Sequence, residues 1–471
     1  MGWTRGVLAL LFLVLMLPPW AGAVEPQWEA TFDMQGYDEG RSIAATEDLL
    51  VVGGLSRGTA DRYYVLAYDR NGSLKWEIDM EAELWDKDLR NVAVAIGSQA
   101  VVVACTDRSL FIRSFHPDGR LNWARSWTPE HSLTDLDTDA QGNIYVLGCS
   151  PGEGLATSVV LKYGAGGELL WNATLEGCGR GVAAGETTLY VAGSRGNQSL
   201  LYILDSRGNV TGNRTYGEGS LVGVAFTDHL YLLHTAGEQT SLVTCAVNGS
   251  VLWSKELSGR RQMHSLVADD RGNVYLAGAL YNQTGRDYDF LVEGYLPDGS
   301  PLLQYQYDGT DSKDDGAWDV STRGGLAATG YTVTKQTVPG PPPYVIFNRD
   351  VYTVQMGEGN VPPTASFAWD PPVPETGEEV LFMDRSTDPD GSLVSWFWDF
   401  GDGKMSTLRN PDHVYKEAGT YNVTLTVTDD GGLQRSLTRQ IAVEKAEKGT
   451  PGFGAAVAVL ALAVPLLRRR R

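Results

Sequence analysis

A turn followed by a tryptophan recurs along this chain, and that repetition limits the fold more than any other feature. YDRNGSLKW (68–76), FHPDGRLNW (115–123), YGAGGELLW (163–171) and CAVNGSVLW (245–253) are full copies, while LDSRGNVTG (204–212) and YLPDGSPLL (295–303) lack the Trp. The Trp positions 76, 123, 171 and 253 are separated by 47, 48 and 82 residues, the last gap covering two units. Between them sits a second unit: RSIAATEDLLVVGG (41–54), RNVAVAIGSQAVVVA (90–104), TDLDTDAQGNIYVLG (134–148), RGVAAGETTLYVAG (180–193), LVGVAFTDHLYLL (221–233), HSLVADDRGNVYLAG (264–278) and WDVSTRGGLAATG (318–330). Each copy alternates apolar and polar residues and breaks at Asn-Gly, Asp-Gly or Gly-Asn, which is β-hairpin chemistry. Two hairpins per period of about 45 residues make four short strands, the plan of a β-propeller blade. Seven copies predict seven blades, and the 55 Gly of 471 residues are largely the punctuation of their turns.

The seventh copy has an inner hairpin (318–333) and a third strand, Tyr344 to Val354, but no fourth. Gln27 to Phe32 looks like the missing strand, because Trp28-Glu29 matches Trp76-Glu77. An N-terminal strand in that place closes the ring and leaves no open sheet edge. The propeller is therefore expected over residues 24–356. Its repeats resemble the SBBP family, best seen in DDRGNVYLAG with DFLVEGYLPDGS, and they echo quinoprotein-type propellers through the Gly-x-x-x-Trp turn. The resemblance implies a fold more than an activity, and it implies that Trp76, Trp123, Trp171 and Trp253 pack between blades.

Pro339 to Pro343 reads as a stiff loop inside the last blade, and residues 357–363 as the linker that follows it. Beyond it come Asp388-Pro389-Asp390-Gly391-Ser392, Trp398-Asp399-Phe400-Gly401-Asp402-Gly403, His413-Val414-Tyr415, Gly419-Thr420-Tyr421 and Leu425-Thr426-Val427-Thr428-Asp429. On these motifs residues 361–445 resemble a PKD domain, which implies an immunoglobulin-like β-sandwich. Trp396, Trp398 and Phe400 share one strand face and should fill its core, with Phe397 on the opposite, exposed face. The predicted fold class is thus all-β, a seven-bladed propeller followed by a PKD sandwich.

The two ends speak of export. Residues 1–23 read as a signal peptide: Arg5, an apolar run from Val7 to Leu17, then Ala21-Gly22-Ala23. At the other end, residues 446–471 hold Pro451-Gly452-Phe453, an apolar stretch from Ala455 to Leu467 and four arginines. That layout resembles the PGF-CTERM sorting signal of archaeal surface proteins. The resemblance implies an archaeosortase-type processing enzyme, a membrane lipid anchor and a place on the cell surface; a plain C-terminal membrane helix is the competing reading. Eight Asn-x-Ser/Thr sequons, at Asn71, Asn172, Asn197, Asn209, Asn213, Asn248, Asn282 and Asn422, are candidate glycosylation sites in an exported chain. The formal charge of −20 argues against nucleic-acid partners, which need clustered Lys and Arg.

Catalytic signatures are sparse. The six His residues form no HExxH pair, and there is no Gly-x-Ser-x-Gly elbow, P-loop or Cys-x-x-Cys. No cofactor is assigned from the sequence. The four Cys residues, 105, 149, 178 and 245, allow three pairings; free buried thiols are the plain reading, and Cys149–Cys178 is the bridge weighed against it. Asp388, Asp390 and Ser392 have the i, i+2, i+4 spacing of calcium ligands, and Asp311, Asp314 and Asp315 cluster in a loop, although such runs are also ordinary turn chemistry. Finally, Arg41, Arg90, Thr134, Arg180, Ser220, His264 and Trp318 open the innermost strands and should ring one mouth of the channel. Arg41, Arg90, Arg180 and His264 would there receive an anionic glycan or a carboxylate, unless each is paired locally with an acid. The functional expectation is a non-catalytic binding, adhesion or structural protein of the envelope, with a glycan or surface-layer protein as partner. The alternative is an extracellular enzyme using the propeller channel.

Overall fold

The structure is a computed structural model that describes residues 26–33, 37–57, 62–81, 91–96, 101–106, 110–127, 131–150, 156–309, 313–323, 325–338, 344–356, 363–388, 391–430 and 434–446. The signal peptide 1–23, residues 357–362 of the linker, the tail from 447 onward with Pro451, Gly452 and Phe453, and Arg90, Asp311 and Asp390 lie outside the described residues. The chain divides into two units, Met1–Gly359 and Asn360–Arg471, and every regular element described in either is a β-strand.

In the first unit, the described strands form five four-stranded antiparallel sheets and one eight-stranded sheet. The latter is two four-stranded blades joined by a single parallel bridge, Tyr37 to Arg349. In chain order the blades run 37–81, 92–127, 132–176, 178–218, 220–256, 261–307 and 316–356, called blades 1 to 7 below. The first strand of each blade contacts the first strand of the next, and that of blade 7 returns to blade 1. Blade 7 takes its fourth strand from the N-terminus: Pro26–Phe32 pairs antiparallel with Tyr344–Met356, Trp28 opposite Gln355 and Phe32 opposite Val351. Middle strands such as Ile144–Ser150 and Thr157–Tyr163 are buried on both faces, which is why they read as nearly unbroken apolar runs. Outer strands such as Leu169–Glu176 are mostly exposed and carry the polar alternation.

The recurrent tryptophans join neighbouring blades. The indole N–H of Trp76 donates to Pro117 O (2.8 Å), Trp123 to Ala165 O (3.1 Å), Trp171 to Ser206 O (2.9 Å) and Trp253 to Pro297 O (3.1 Å). Trp28 does the same across the closure, to Arg70 O at 3.0 Å. Each acceptor lies in the turn before the next blade's outer strand, and each indole lies over that turn's glycine. Gly167 shows why glycine is needed: its φ is +81°, and a Cβ there would lie 2.6 Å from Trp123 Cδ2. The two copies without Trp are explained by position. In blade 4 Tyr216 takes over, its hydroxyl donating to Gly249 O at 2.8 Å. Blade 6 faces the closure, where the neighbouring blade has no such turn. There the Tyr305 hydroxyl donates to Glu29 at 2.9 Å and lies 2.7 Å from the Tyr352 hydroxyl.

A disulfide links Cys149, on the second strand of blade 3, to Cys178, on the first strand of blade 4, with Cα atoms 5.3 Å apart. Free thiols at these two positions are therefore ruled out, while Cys245 is a buried thiol.

The second unit is a sandwich. One sheet holds Phe367–Asp370, Glu379–Asp384 and Asp412–Val414; the other holds Met405–Ser406, Leu393–Asp399, Gly419–Asp429 and Gln434–Val443. Trp398 and Phe400 are fully enclosed with Phe367, Phe382 and Tyr415, as their shared strand face requires. Trp396 is only half-buried, covered by the Arg409 guanidinium at 5.2 Å, and Phe397 is exposed. His413 stacks on Phe400 at 4.1 Å, and its Nε2 lies 2.9 Å from Asp402 Oδ2, which makes it a packing residue.

Candidate functional site

The ring of first strands supplies the best-built polar site of the propeller. In five of these strands one extra residue interrupts the pairing as a β-bulge: Arg41, Thr134, Arg180, His264 and Trp318. These are five of the positions expected at the mouth. In blade 5 the bulged residue is Val222 rather than Ser220, because the shift falls between Leu221 and Gly223.

The bulged residues do not form a set of free cations. Arg41 is ion-paired with buried Glu39, which also takes Arg349. The Arg41 guanidinium covers Trp318 at 4.0 Å, and His264 lies against Trp318 with ring centres 4.2 Å apart. Burial and the Arg41 charge push His264 down to about 4, so the ring is neutral at physiological pH. Burial is also the main cause that lowers the pKa of Arg41, opposed by Glu39. Arg180 is exposed. Of the expected anion receptor, Arg41 and His264 thus come together through Trp318 with their charge already met or absent, and Arg180 stands alone among the described positions.

One step further along the same strands lies a layer that sequence reasoning missed. Asp319 Oδ1 accepts the Ser265 hydroxyl (2.6 Å) from blade 6, and its Oδ2 accepts Ile43 N–H (2.9 Å) and the Ser42 hydroxyl (2.8 Å) from blade 1. Ser42 Oγ in turn accepts Val94 N–H of blade 2 at 3.1 Å. Asp135 and Asp137 of blade 3 accept Val182 N–H (2.7 Å) and Ala184 N–H (2.8 Å) of blade 4. Burial pushes Asp135 up to about 8 and Asp137 up to about 6, against the pull of those amides. Asp319 is also raised by burial. The charge of Asp319, in blade 7, adds to the rise at Asp135, in blade 3. In sequence these acids, in TDLDTD and WDV, look like ordinary strand polarity. Chemically, each of these carboxylates divides its acceptors between a neighbouring blade and the next amide of its own strand, Leu136, Thr138 or Val320.

Two of the PKD candidates, Asp388 and Ser392, lie at one turn with Asp430. Ser392 Oγ donates to Asp430 Oδ2 at 3.2 Å, and a Cβ on Gly391 would lie 2.3 Å from Asp430 Oδ1 and 2.9 Å from Asp388 Oδ2. Asp314 and Asp315, by contrast, fasten their loop to the strands on either side: Asp314 accepts Tyr288 N–H of blade 6, and Asp315 accepts Gly309 N–H and Val333 N–H of blade 7. Seven of the eight sequon asparagines are exposed. Asn282 is half-buried, and the amide nitrogen that would carry a glycan donates to Asp289 at 3.1 Å.

Comparison with known proteins places relatives on the second unit. A microbial collagenase of Vibrio alginolyticus is 44% identical over 70 residues, 15% of this chain and 9% of that protein. The chain spans about a tenth or less of the length of the curated relatives it matches. The solved PKD1 domain of Vibrio anguillarum Epp is 42% identical, with 18% of this chain and 99% of that one aligned, at a TM-score of 0.17. The solved Dos1 propeller aligns with 71% of this chain and 95% of its own, at 9% identity and a TM-score of 0.44. The family model described as the PKD domain matches residues 360–444, and this stretch is a PKD domain.

Proposed function

We propose that this chain is an exported, non-catalytic binding protein that presents a propeller at the cell surface. The observation that carries the reading is the use of the channel's ionisable groups: Asp135, Asp137, Asp319 and Glu39 each tie one strand to another, and Arg41 packs over Trp318 of blade 7. A ring held in this way offers a rigid surface rather than a poised reacting group. The Cys149–Cys178 bridge suits an oxidising compartment, and the exposed sequons suit glycosylation there.

In this reading residues 1–23 are removed on export. An archaeosortase-type enzyme processes the tail at Pro451-Gly452-Phe453, a membrane lipid holds the product, and the PKD domain is the spacer. The partner is an envelope glycan or a surface-layer protein, bound on the propeller face that carries Arg180. Calcium at Asp388, Asp390 and Ser392 would stiffen the spacer; the approach of Asp430 to the same turn supports that assignment.

Two measurements test the proposal. The intact mass of native protein should lack residues 1–23 and 455–471 and carry lipid and glycan; retention of 455–471 replaces the sorting signal with a membrane helix. Purified protein should be retained on isolated envelope material without turnover. A bound quinone, or release of product from polysaccharide, would establish the enzyme reading instead.

A further inference from the structure

Outside the channel, a second group of acids is arranged in a way the ring does not require. Asp287 and Asp289 alternate on the strand Asp287–Tyr295 of blade 6, so both side chains leave the same face. Asp308 follows the partner strand Pro301–Tyr307, where Phe290 pairs with Tyr307, which sets Asp308 beside Asp289. One carboxylate oxygen from each of the three lies within 4.8 Å of the others. Two calcium–oxygen bonds of about 2.4 Å span that distance.

Burial makes the group costly without a cation. Asp287 is 6% exposed and Asp289 1%. Both carboxylate oxygens of Asp287 are enclosed and have no hydrogen-bond donor, and neither has Asp289 Oδ1. Asp289 Oδ2 is held by Asn282 Nδ2 (3.1 Å) and Gln306 Nε2 (2.6 Å). An enclosed carboxylate without a donor is expensive unless a positive charge meets it. Burial, with Asp308 and Asp287 nearby, raises the Asp289 pKa. Two bonds from the next loop brace the site: Tyr288 N–H donates to the Asp314 side chain at Oδ1 (3.0 Å), and Tyr288 O accepts Asp315 N–H (2.6 Å).

The arrangement recurs at the next junction. Asp350 precedes Val351, which pairs with Phe32, and Asp33 follows Phe32; these are the register positions of Asp289 and Asp308. Asp33, Asp38 and Asp350 likewise bring one carboxylate oxygen each to within 4.8 Å of the others.

We propose that Asp287, Asp289 and Asp308 form a divalent-cation site in blade 6. An all-oxygen, carboxylate-rich set selects a hard cation, and calcium tolerates its uneven geometry better than magnesium. The ion binds the end of the outer strand to the strand beside it, a role independent of any ligand on the propeller face.

The test uses the full chain stripped with EDTA and titrated calorimetrically with calcium chloride, then with magnesium chloride. Calcium should bind and raise the Tm, with magnesium at least 10-fold weaker. D287N should lose one equivalent of calcium while D388N keeps it, which separates this site from the PKD turn. Asp308 is exposed, so D308N tests the site without disturbing the core and should weaken binding about 10-fold. Equal calcium stoichiometry and affinity in wild type, D287N and D308N would overturn the assignment, as would the absence of calcium binding to the stripped wild-type chain.

Discussion

The contact between Trp123 and Gly167 can be tested to a number. Trp123 is 9% exposed, and its indole lies over Gly167 while donating to Ala165 O. Trp123→Ala removes a buried aromatic and should cost about 3–5 kcal/mol. Gly167→Ala has two separable costs. Placing an L-residue at φ +81° costs about 1–2 kcal/mol. The new Cβ would also fall 2.6 Å from Cδ2 and 2.9 Å from Cε2 and Cε3 of the indole. Displacing a packed ring to relieve that clash costs about 1–3 kcal/mol more. Only the second cost depends on Trp123, so Gly167→Ala should be milder by about 1–3 kcal/mol in the Trp123→Ala background. Urea unfolding of the four proteins of the cycle, followed by far-UV circular dichroism, measures the coupling directly. Additivity within about 0.5 kcal/mol would refute the claim that the glycine exists to seat the indole.

Three further outcomes follow from the same contacts. Replacing Cys149 and Cys178 together by Ser frees a loop of 29 residues and should lower stability by about 3.6 kcal/mol in chain-entropy terms, read by urea unfolding under non-reducing conditions. Asp135 has a folded pKa of about 8, above its unfolded value, so the folded state binds the extra proton between about pH 4 and 8. Stability should therefore fall as pH rises through that window, by up to about 1.4 kcal/mol per unit, and Asp135→Asn should flatten the slope. Glu39→Gln leaves Arg41 and Arg349 without their shared buried partner and should cost about 3 kcal/mol, measured as a loss of denaturant midpoint.

Much of the architecture was legible in local pattern. The Gly-x-x-x-Trp turns, the two-residue alternation and the orphan strand at Gln27 to Phe32 each depend on neighbours in sequence, and the structure pairs that strand with Tyr344–Met356 as expected. The PKD motifs were equally local: Trp398 and Phe400 are buried because they share one face of one strand. The expected mouth was legible only as a set of positions. Its bulges sit where alternation slips by one residue, and in blade 5 that slip is invisible in LVGVAF, so Val222 was missed. The acids of the channel and of blade 6 looked like ordinary turn and strand polarity, since no sequence neighbour reveals that Asp287 has no donor.

By itself the sequence determined the repeat period, the strand content, the turns that need glycine and the sandwich that follows. Tertiary structure decided which charges survive as charges. Arg41 meets Glu39 beside it, but Arg349 reaches that same acid from 310 residues away, and Ser42 meets Asp319 across 277. Such pairs arise only when the ring closes, because closure is the step that brings the two ends of the repeat together and takes their polar groups out of water.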